Sequence, residues 1–222
     1  MNSSDLQTIL IYALPVIFAI TIHEAAHGYV AHHFGDNTAW VMGRVTLNPI
    51  KHVDLLGTIV MPLFLYFATK GSFLFGYARP VPVNFSQLRN PKRDMIWVAL
   101  AGPGSNFIQA LVWAVLLVLM AASGVEERFF IQMANAGIRI NLVLCAFNLF
   151  PLPPLDGGRI LAGLLPRGSA QEFLARIEPW GFFIVMGLVL VDIVSIWWLR
   201  PLMKIGFDAI NLLLTPLILL LR

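Results

Sequence analysis

Two histidines and a glutamate lie close together inside an apolar segment that is long enough to cross a lipid bilayer. The segment runs from about residue 6 to residue 34 and contains His23, Glu24 and His27. Positions i and i+4 share one face of a helix, so both imidazoles can reach one metal ion. Ionisable groups are costly inside a membrane and usually serve a function there. The segment therefore predicts a membrane helix that carries a reactive site.

The composition independently favours a membrane protein. Hydrophobic residues make up 58% of the 222 residues, charged residues only 12%, and the mean hydropathy is +0.78. An ordinary soluble domain carries about 25% charged residues. The net charge of +3 is small and suggests contact with lipid headgroups, not with nucleic acid. Cys145 is the single cysteine, which excludes an intrachain disulfide.

The apolar pattern predicts an all-α polytopic membrane protein with about five transmembrane helices. We expect these spans at residues 6–34, 95–122, 134–155, 180–199 and 202–221. Residues 55–68 are apolar but cover only about 20 Å as a helix, so a re-entrant or interfacial segment is expected there. Residues 40–47 predict a short β-strand. The first five residues lack the basic region of a signal peptide, so the first apolar segment should be retained.

A second chemical element lies at Asn148-Leu-Phe-Pro-Leu-Pro-Pro-Leu-Asp156-Gly157-Gly158. Its three prolines break the helix just before the carboxylate. Catalytic zinc usually has three protein ligands and an open position for water. Asp156 is the obvious third ligand, and the intramembrane carboxylate of Asp192 is the alternative. The paired glycines would allow a tight turn that leaves Asp156 free to face the histidines.

Together the two motifs resemble the site-2 protease family of intramembrane zinc metalloproteases. Its HExxH pattern matches residues 23–27, and its NxxPxPxxDG pattern matches residues 148–157. Ala101-Gly-Pro-Gly-Ser-Asn106 also resembles the Gly-Pro element of a third core helix in that family. The likeness covers roughly residues 10–165 and is greatest to compact bacterial members without PDZ or CBS domains.

The resemblance implies one zinc ion per chain and a role for each matching residue. His23, His27 and Asp156 would be the metal ligands, and Glu24 the general base. Asn148 would hold an unwound substrate backbone, with Asn106 as a helper. The expected partners are transmembrane protein substrates and the lipid bilayer, in regulated intramembrane proteolysis. We expect one protease domain over residues 1–222, with a catalytic core at about 6–165 and C-terminal helices at 180–221.

A shared metal constrains the topology. His27 lies near the end of the first span and Asp156 directly follows the 134–155 span, so a shared metal requires both spans to run in the same direction. The 95–122 span already crosses once between them, so residues 55–68 cannot also cross. Most lysines and arginines of the connecting segments then collect on the side of the metal, and Arg128, Arg200 and Lys204 on the other. The positive-inside rule makes the basic side cytoplasmic. The expected location is a bacterial inner membrane, with the site towards the cytoplasm and the amino terminus outside.

Several alternatives stay open at this level. His52, beside Lys51 and Asp54, is a candidate for supporting the site from a second layer. The edge of residues 40–47 could hold an extended substrate by β-augmentation. A non-proteolytic metal-binding or metal-transport protein would also place histidine and aspartate in a membrane, but a transporter would need polar groups continuing to the far side. The oligomeric state is not indicated.

Overall fold

The computed structural model describes residues 3–60, 78–166 and 168–221, and most of them are helical. The helices are α1 (Ser3–His33), α2 (Thr38–Val41), α3 (Pro91–Ala122), α4 (Arg128–Asn148), α5 (Asp156–Leu164), α6 (Ser169–Leu190) and α7 (Arg200–Leu220). Single 3₁₀ turns lie at Pro49–Lys51 and Phe85–Gln87, and π-helical turns at Leu55–Val60 and Ser195–Leu199. The predicted all-α architecture is confirmed for the described residues.

Five helical segments are long and apolar enough to cross a membrane. They are Gln7–His33, Pro91–Ala122, Arg128–Asn148, Ser169–Leu190 and Ser195–Leu220. The protein is therefore an integral membrane protein, as predicted. The third span begins and ends earlier than expected, at Arg128 and Asn148, because the prolines after Asn148 end the helix there and residues 149–155 form a loop. The short helix α5 after that loop was not predicted.

The centre of the bundle is formed by α1, α3 and α4, which pack against one another. α3 begins with Pro91 in its first turn, where the missing N–H costs nothing. The Asp94 carboxylate accepts a hydrogen bond from the Asn90 N–H (2.7 Å) and so satisfies a free donor at this helix start. α7 closes an apolar core with α3 and α4, formed by Ala110, Ala114, Ile138, Leu142, Ile210 and Leu214.

The direction of α7 follows from its contacts with α4. The Trp198 indole N–H, just before α7, donates to the carbonyl oxygen of Ala146 near the end of α4 (2.8 Å). Further along α7, Gly206 lies against Leu142. The chain therefore enters α7 at the end of the bundle where α4 finishes, and the two helices run antiparallel.

α6 contacts that same end of the bundle. It follows α5, which packs on the start of α3, and Gly181 in its middle is in contact with Pro153 of the loop after α4. Arg200 and Lys204 consequently lie at this end as well, which corrects the prediction that they are on the opposite side.

The predicted β-strand at residues 40–47 is not formed. Residues 40 and 41 belong to α2, and residues 42–47 are turns and bends. A strand needs a neighbouring strand for its backbone groups, and no strand occurs within the described ranges. Of the short apolar segment at 55–68, Leu55–Val60 is a π-helical turn, and the remainder lies outside the described residues.

Candidate metal centre

Three potential ligand atoms meet where α1 passes the start of α5. The Nε2 atoms of His23 and His27 are 3.1 Å apart, and each lies 3.3 Å from Oδ2 of Asp156. Zinc bonds to such atoms measure about 2.0–2.2 Å, so neighbouring ligands of a tetrahedral ion lie about 3.3–3.5 Å apart. The three atoms therefore form one face of a tetrahedron of the right size for zinc.

The far side of each imidazole is fixed by a hydrogen bond. His27 Nδ1 donates to the carbonyl oxygen of Val98 (2.7 Å), and His23 Nδ1 donates to Oδ1 of Asn106 (2.6 Å). Asn106 in turn donates from Nδ2 to the carbonyl of Ala19 (3.1 Å) and to Oδ1 of Asn141 (3.0 Å). The hydrogens are thus on Nδ1, and both Nε2 lone pairs point at each other and at a carboxylate. A cation between them removes this repulsion.

Asp156 is the first residue of α5 and is buried. Its Oδ2 atom has no hydrogen-bond donor among the described residues. Burial alone would raise the pKa of this carboxyl, but positive charge on His27 and His23, when these rings are protonated, outweighs burial and holds the pKa below the usual range; a cation bound by the neutral rings acts in the same direction. The carboxylate is thus kept in the ionised form that binds metal. A buried, unpaired oxygen beside two imidazole lone pairs fits a zinc ion.

Glycines make room for the ligands. A Cβ atom on Gly102 of α3 would overlap the rings of His27 and His23. Cβ atoms on Gly157 and Gly158 would overlap the backbone of residues 149–153. Neither Gly157 nor Gly158 has a positive φ, so close packing, and not the expected tight turn, explains the pair.

The side chain of Glu24 is held by a hydrogen bond from a loop. Its Oε2 atom accepts a hydrogen bond from the N–H of Val81 (2.7 Å), in an irregular segment at residues 79–83 that we call the Pro-Val segment. The buried Arg44 donates to the carbonyl oxygens of Arg79 (2.9 Å) and Pro80 (3.3 Å) in that segment. The bond from Val81 fixes Oε2 of Glu24 next to the metal ligands. The two bonds from Arg44 hold the Pro-Val segment in place at the site.

A cavity of about 340 Å³ opens onto the centre. Its walls include the three ligand candidates, Glu24, the Pro-Val segment, Asn148 and Arg159. Asn148 is the last residue of α4, and its side chain donates to the carbonyl oxygen of Leu144 (3.0 Å). The structure places Asn148 on the wall of the cavity at the metal centre. The cavity is large enough for a few residues of extended peptide.

Two predicted site residues lie elsewhere. Asn106 is completely buried and does not line the cavity, so it supports His23 and cannot contact a substrate there. His52 is also buried; its Nε2 bonds to the carbonyl of Thr46 (2.9 Å), and its own carbonyl accepts from the N–H of Arg79 (2.9 Å). It therefore organises the loops over the site, not the metal ligands. Asp192 is exposed in the turn after α6 and is not part of the ligand group.

Three contributors were not predicted from the sequence. Asn141 anchors Asn106, Arg44 holds the Pro-Val segment, and Val81 contacts Glu24. The polar Asn141 within an apolar span was a usable signal, since such residues usually bond to another helix. Val81 had no signal, because its contact uses only backbone.

The helices are long enough to cross a membrane, and they place two histidines, a carboxylate and a neighbouring glutamate around one cavity. This combination defines the class of integral membrane metalloproteases. Similarity to known proteins identifies the family. The model of peptidase family M50 matches residues 120–191. "Putative zinc metalloprotease YwhC" of Bacillus subtilis is 41% identical over 206 residues, which cover 89% of this chain and 87% of that protein. The chain belongs to this family, is related to the site-2 proteases and is a zinc metalloprotease.

Two relatives of lower identity are also named as zinc metalloproteases. Rip2 of Mycolicibacterium smegmatis is 30% identical over 186 residues, covering 82% of this chain and 67% of the relative. "Zinc metalloprotease MJ0392" of Methanocaldococcus jannaschii is 26% identical over 167 residues, which are 75% of this chain and 37% of that protein. No solved structure matches the chain significantly.

Proposed function

We propose that the protein hydrolyses peptide bonds within or near the transmembrane segments of other membrane proteins, in regulated intramembrane proteolysis. The observation that carries the proposal is the spacing of 3.1–3.3 Å among three ligand atoms at a cavity that Glu24 also lines. His23, His27 and Asp156 would hold one zinc ion, and all three line the cavity. Zinc in such a site polarises a carbonyl group and makes water a nucleophile near neutral pH.

Glu24 is the general base of this reaction. Its Oε2 is occupied by the N–H of Val81, which leaves Oε1 to take a proton from the attacking water. The same oxygen returns the proton to the nitrogen of the leaving amine when the peptide bond breaks. The hydrogen bond from Val81 keeps the carboxylate from rotating away between these two transfers.

The substrate has to reach the cavity as extended backbone. A helical peptide hides its carbonyl groups in hydrogen bonds, so local unwinding precedes attack. Asn148, on the cavity wall beside Asp156, is the side chain we assign to holding the unwound backbone. The irregular Pro-Val segment also lines the cavity and offers backbone groups. This segment, and not residues 40–47, is the edge to which we assign substrate pairing.

We place the protein in a bacterial inner membrane with the site towards the cytoplasm, as one protease domain. The contacts of α6 and α7 support this orientation, because they add Arg200 and Lys204 to the basic end of the bundle.

Single cysteines introduced in a Cys145→Ala background test this orientation. Ser86→Cys, near the site, should react with a membrane-impermeant maleimide only after the cells are opened. Ser123→Cys, in the turn after α3, should react in intact cells, and the reverse pattern contradicts the orientation.

The decisive experiment compares the wild type with Glu24→Gln on a panel of model transmembrane substrates. The amide cannot take the proton, so turnover should fall about 10²- to 10⁴-fold while zinc content is unchanged. Glu126→Gln, at an exposed carboxylate before α4, is the matched control and should retain full activity. A chelator should abolish cleavage by the wild type, and added zinc should restore it.

Equal cleavage by Glu24→Gln and the wild type would show that Glu24 is not the base. Zinc binding without cleavage of any substrate would instead favour a metal-binding or transport role. The position of Asp192, exposed and outside the ligand group, does not supply the continued polar path that a transporter needs.

A further inference from the structure

The outward face of α4 carries a polar stripe in the middle of a candidate membrane span. Gln132, Asn135 and Arg139 are all exposed, at spacings of three and four residues that place them on one face. A charged side chain at this depth is costly when it faces lipid and is usually paired. Within the described residues Arg139 has no ion-pair partner.

α7 carries a second stripe of the same kind. Lys204, Asp208, Asn211 and Thr215 are exposed and repeat at intervals of four, three and four residues. The opposite face of α7, with Gly206, Ile210 and Leu214, packs on α3 and α4. The stripe on α7 therefore points away from its own bundle. Asp208, like Arg139, has no ion-pair partner among the described residues.

The two stripes lie at matching depths. Gly206 is level with Leu142, and the chains run antiparallel, so Asp208 is within about one residue, or 1.5 Å, of the level of Arg139. By the same count, the Asn211–Thr215 part of α7 is level with the Asn135–Gln132 part of α4. Arg139 and Asp208 nevertheless do not pair within one chain, because Asp208 is on the outer side of α7.

From this arrangement we propose that two copies of the chain associate through α4 and α7. A two-fold axis along the membrane normal preserves depth, so it brings Arg139 of each copy to Asp208 of the other. The interface then contains two ion pairs, flanked by amide and hydroxyl side chains that form hydrogen bonds between helices. Opposite charges at equal depth, exposed on two helices that pack side by side, make a second copy the occupant.

The proposed interface leaves the metal centre accessible. The cavity is lined by residues of α1, the Pro-Val segment, α5 and the metal-side parts of α3 and α4, whereas neither α7 nor the two polar stripes contribute to its lining. Both copies can therefore take a substrate from the lipid at the same time. The proposal does not depend on which substrate is cut, or on any proteolytic activity.

Cross-linking between differently tagged full-length chains tests the interface. One copy carries Asn135→Cys and the other Leu212→Cys, both in a Cys145→Ala background, and the two are co-expressed and oxidised in membranes. These positions are exposed and within about 2 Å of the same depth. We expect a disulfide-linked product that carries both tags. The matched control pairs Asn135→Cys with Ile205→Cys, which lies about 12 Å away in depth, and it should give far less product.

Charge reversal supplies the second measurement. Arg139→Asp or Asp208→Arg alone places like charges opposite each other, so each should lower the cross-linked fraction at least about tenfold. Both changes in the same chain should restore it. Absence of a two-tag product from the matched pair, equal yields from the matched and control pairs, or single reversals without effect would each overturn the proposal. The cross-link remains decisive if a reversed chain fails to fold.

Discussion

The metal centre has a base of packed helices and a cover of irregular backbone, and the two are held together differently. In the base, the ligand candidates sit on α1 and α5, and buried groups of α3 and α4 support them. The cover consists of residues 42–54 and 78–85. Its contacts to the base include the Val81–Glu24 bond and the packing of the Arg159 guanidinium on the Phe85 ring (4.9 Å).

The difference separates two tasks. Metal ligands have to stay within a few tenths of an ångström of their places, and close-packed helices provide that precision. A substrate has to enter and leave, which favours a cover held by a few polar bonds that can break and form again. We therefore expect changes in the base to alter metal binding, and changes in the cover to alter access while metal binding is retained.

The largest effect on the base should come from Gly102→Ala. The added methyl overlaps both imidazoles, so the histidines must move and zinc is held in the wrong geometry. Displacement of about 1 Å at a catalytic centre lowers activity about 10²-fold, and we expect at least this loss together with reduced zinc content. Gly104→Ala, on the same helix with open space around it, is the control for both readouts. Full zinc content and activity in Gly102→Ala would contradict the packing.

A smaller effect on the base is expected from Asn106→Leu. Leucine cannot accept the hydrogen bond from Nδ1 of His23, so the ring loses its fixed tautomer and orientation. Loss of such a supporting bond lowers metal affinity about 10–100-fold, measured here by competition with a fluorescent chelator. Asn211→Leu, at an exposed position on α7, should leave the affinity unchanged. An unchanged affinity in Asn106→Leu would show that packing alone holds His23.

On the cover, Arg44→Leu should loosen the Pro-Val segment. The substitution removes the bonds to the carbonyls of Arg79 and Pro80, and bonds from a charged donor contribute about 1.5–3 kcal/mol each. Hydrogen exchange at the Val81 amide should then accelerate about tenfold or more, with zinc content unchanged. Arg79→Ala is the control, because Arg79 contributes its backbone to these contacts. Loss of zinc in Arg44→Leu would remove the distinction between base and cover.

The smallest change is expected from Phe85→Leu. Leucine retains apolar packing against α1 and α3 but loses the cation–π contact with Arg159. Such contacts contribute about 0.5–1 kcal/mol at accessible sites, so exchange at Val81 should accelerate about two- to fivefold. Phe130→Leu, at an exposed position at the start of α4, should have no effect on Val81. Equal exchange in the wild type and Phe85→Leu would show that the cation–π contact does not hold the cover.

The base could be predicted from the sequence much better than the cover. The spacing of His23 and His27 fixes a shared helix face, and the prolines before Asp156 mark where the chain leaves the membrane. These are local signals. The cover depends on bonds between residues far apart in the chain, such as Val81 with Glu24, and backbone donors leave no mark on the sequence. The β-prone residues at 40–47 were misleading, because strand formation depends on a partner that the sequence does not specify locally.

The position of Asp156 at the start of α5 gives the metal a mechanical role. Its ligands come from the first long helix and from a helix that follows α4, so a bound ion fastens these two parts of the chain to each other. An ion that binds only the folded protein raises the free energy of unfolding by about 2.7 kcal/mol at a free concentration of 100 times its Kd. Zinc starvation would then shorten the lifetime of the protein in the membrane as well as stop its chemistry.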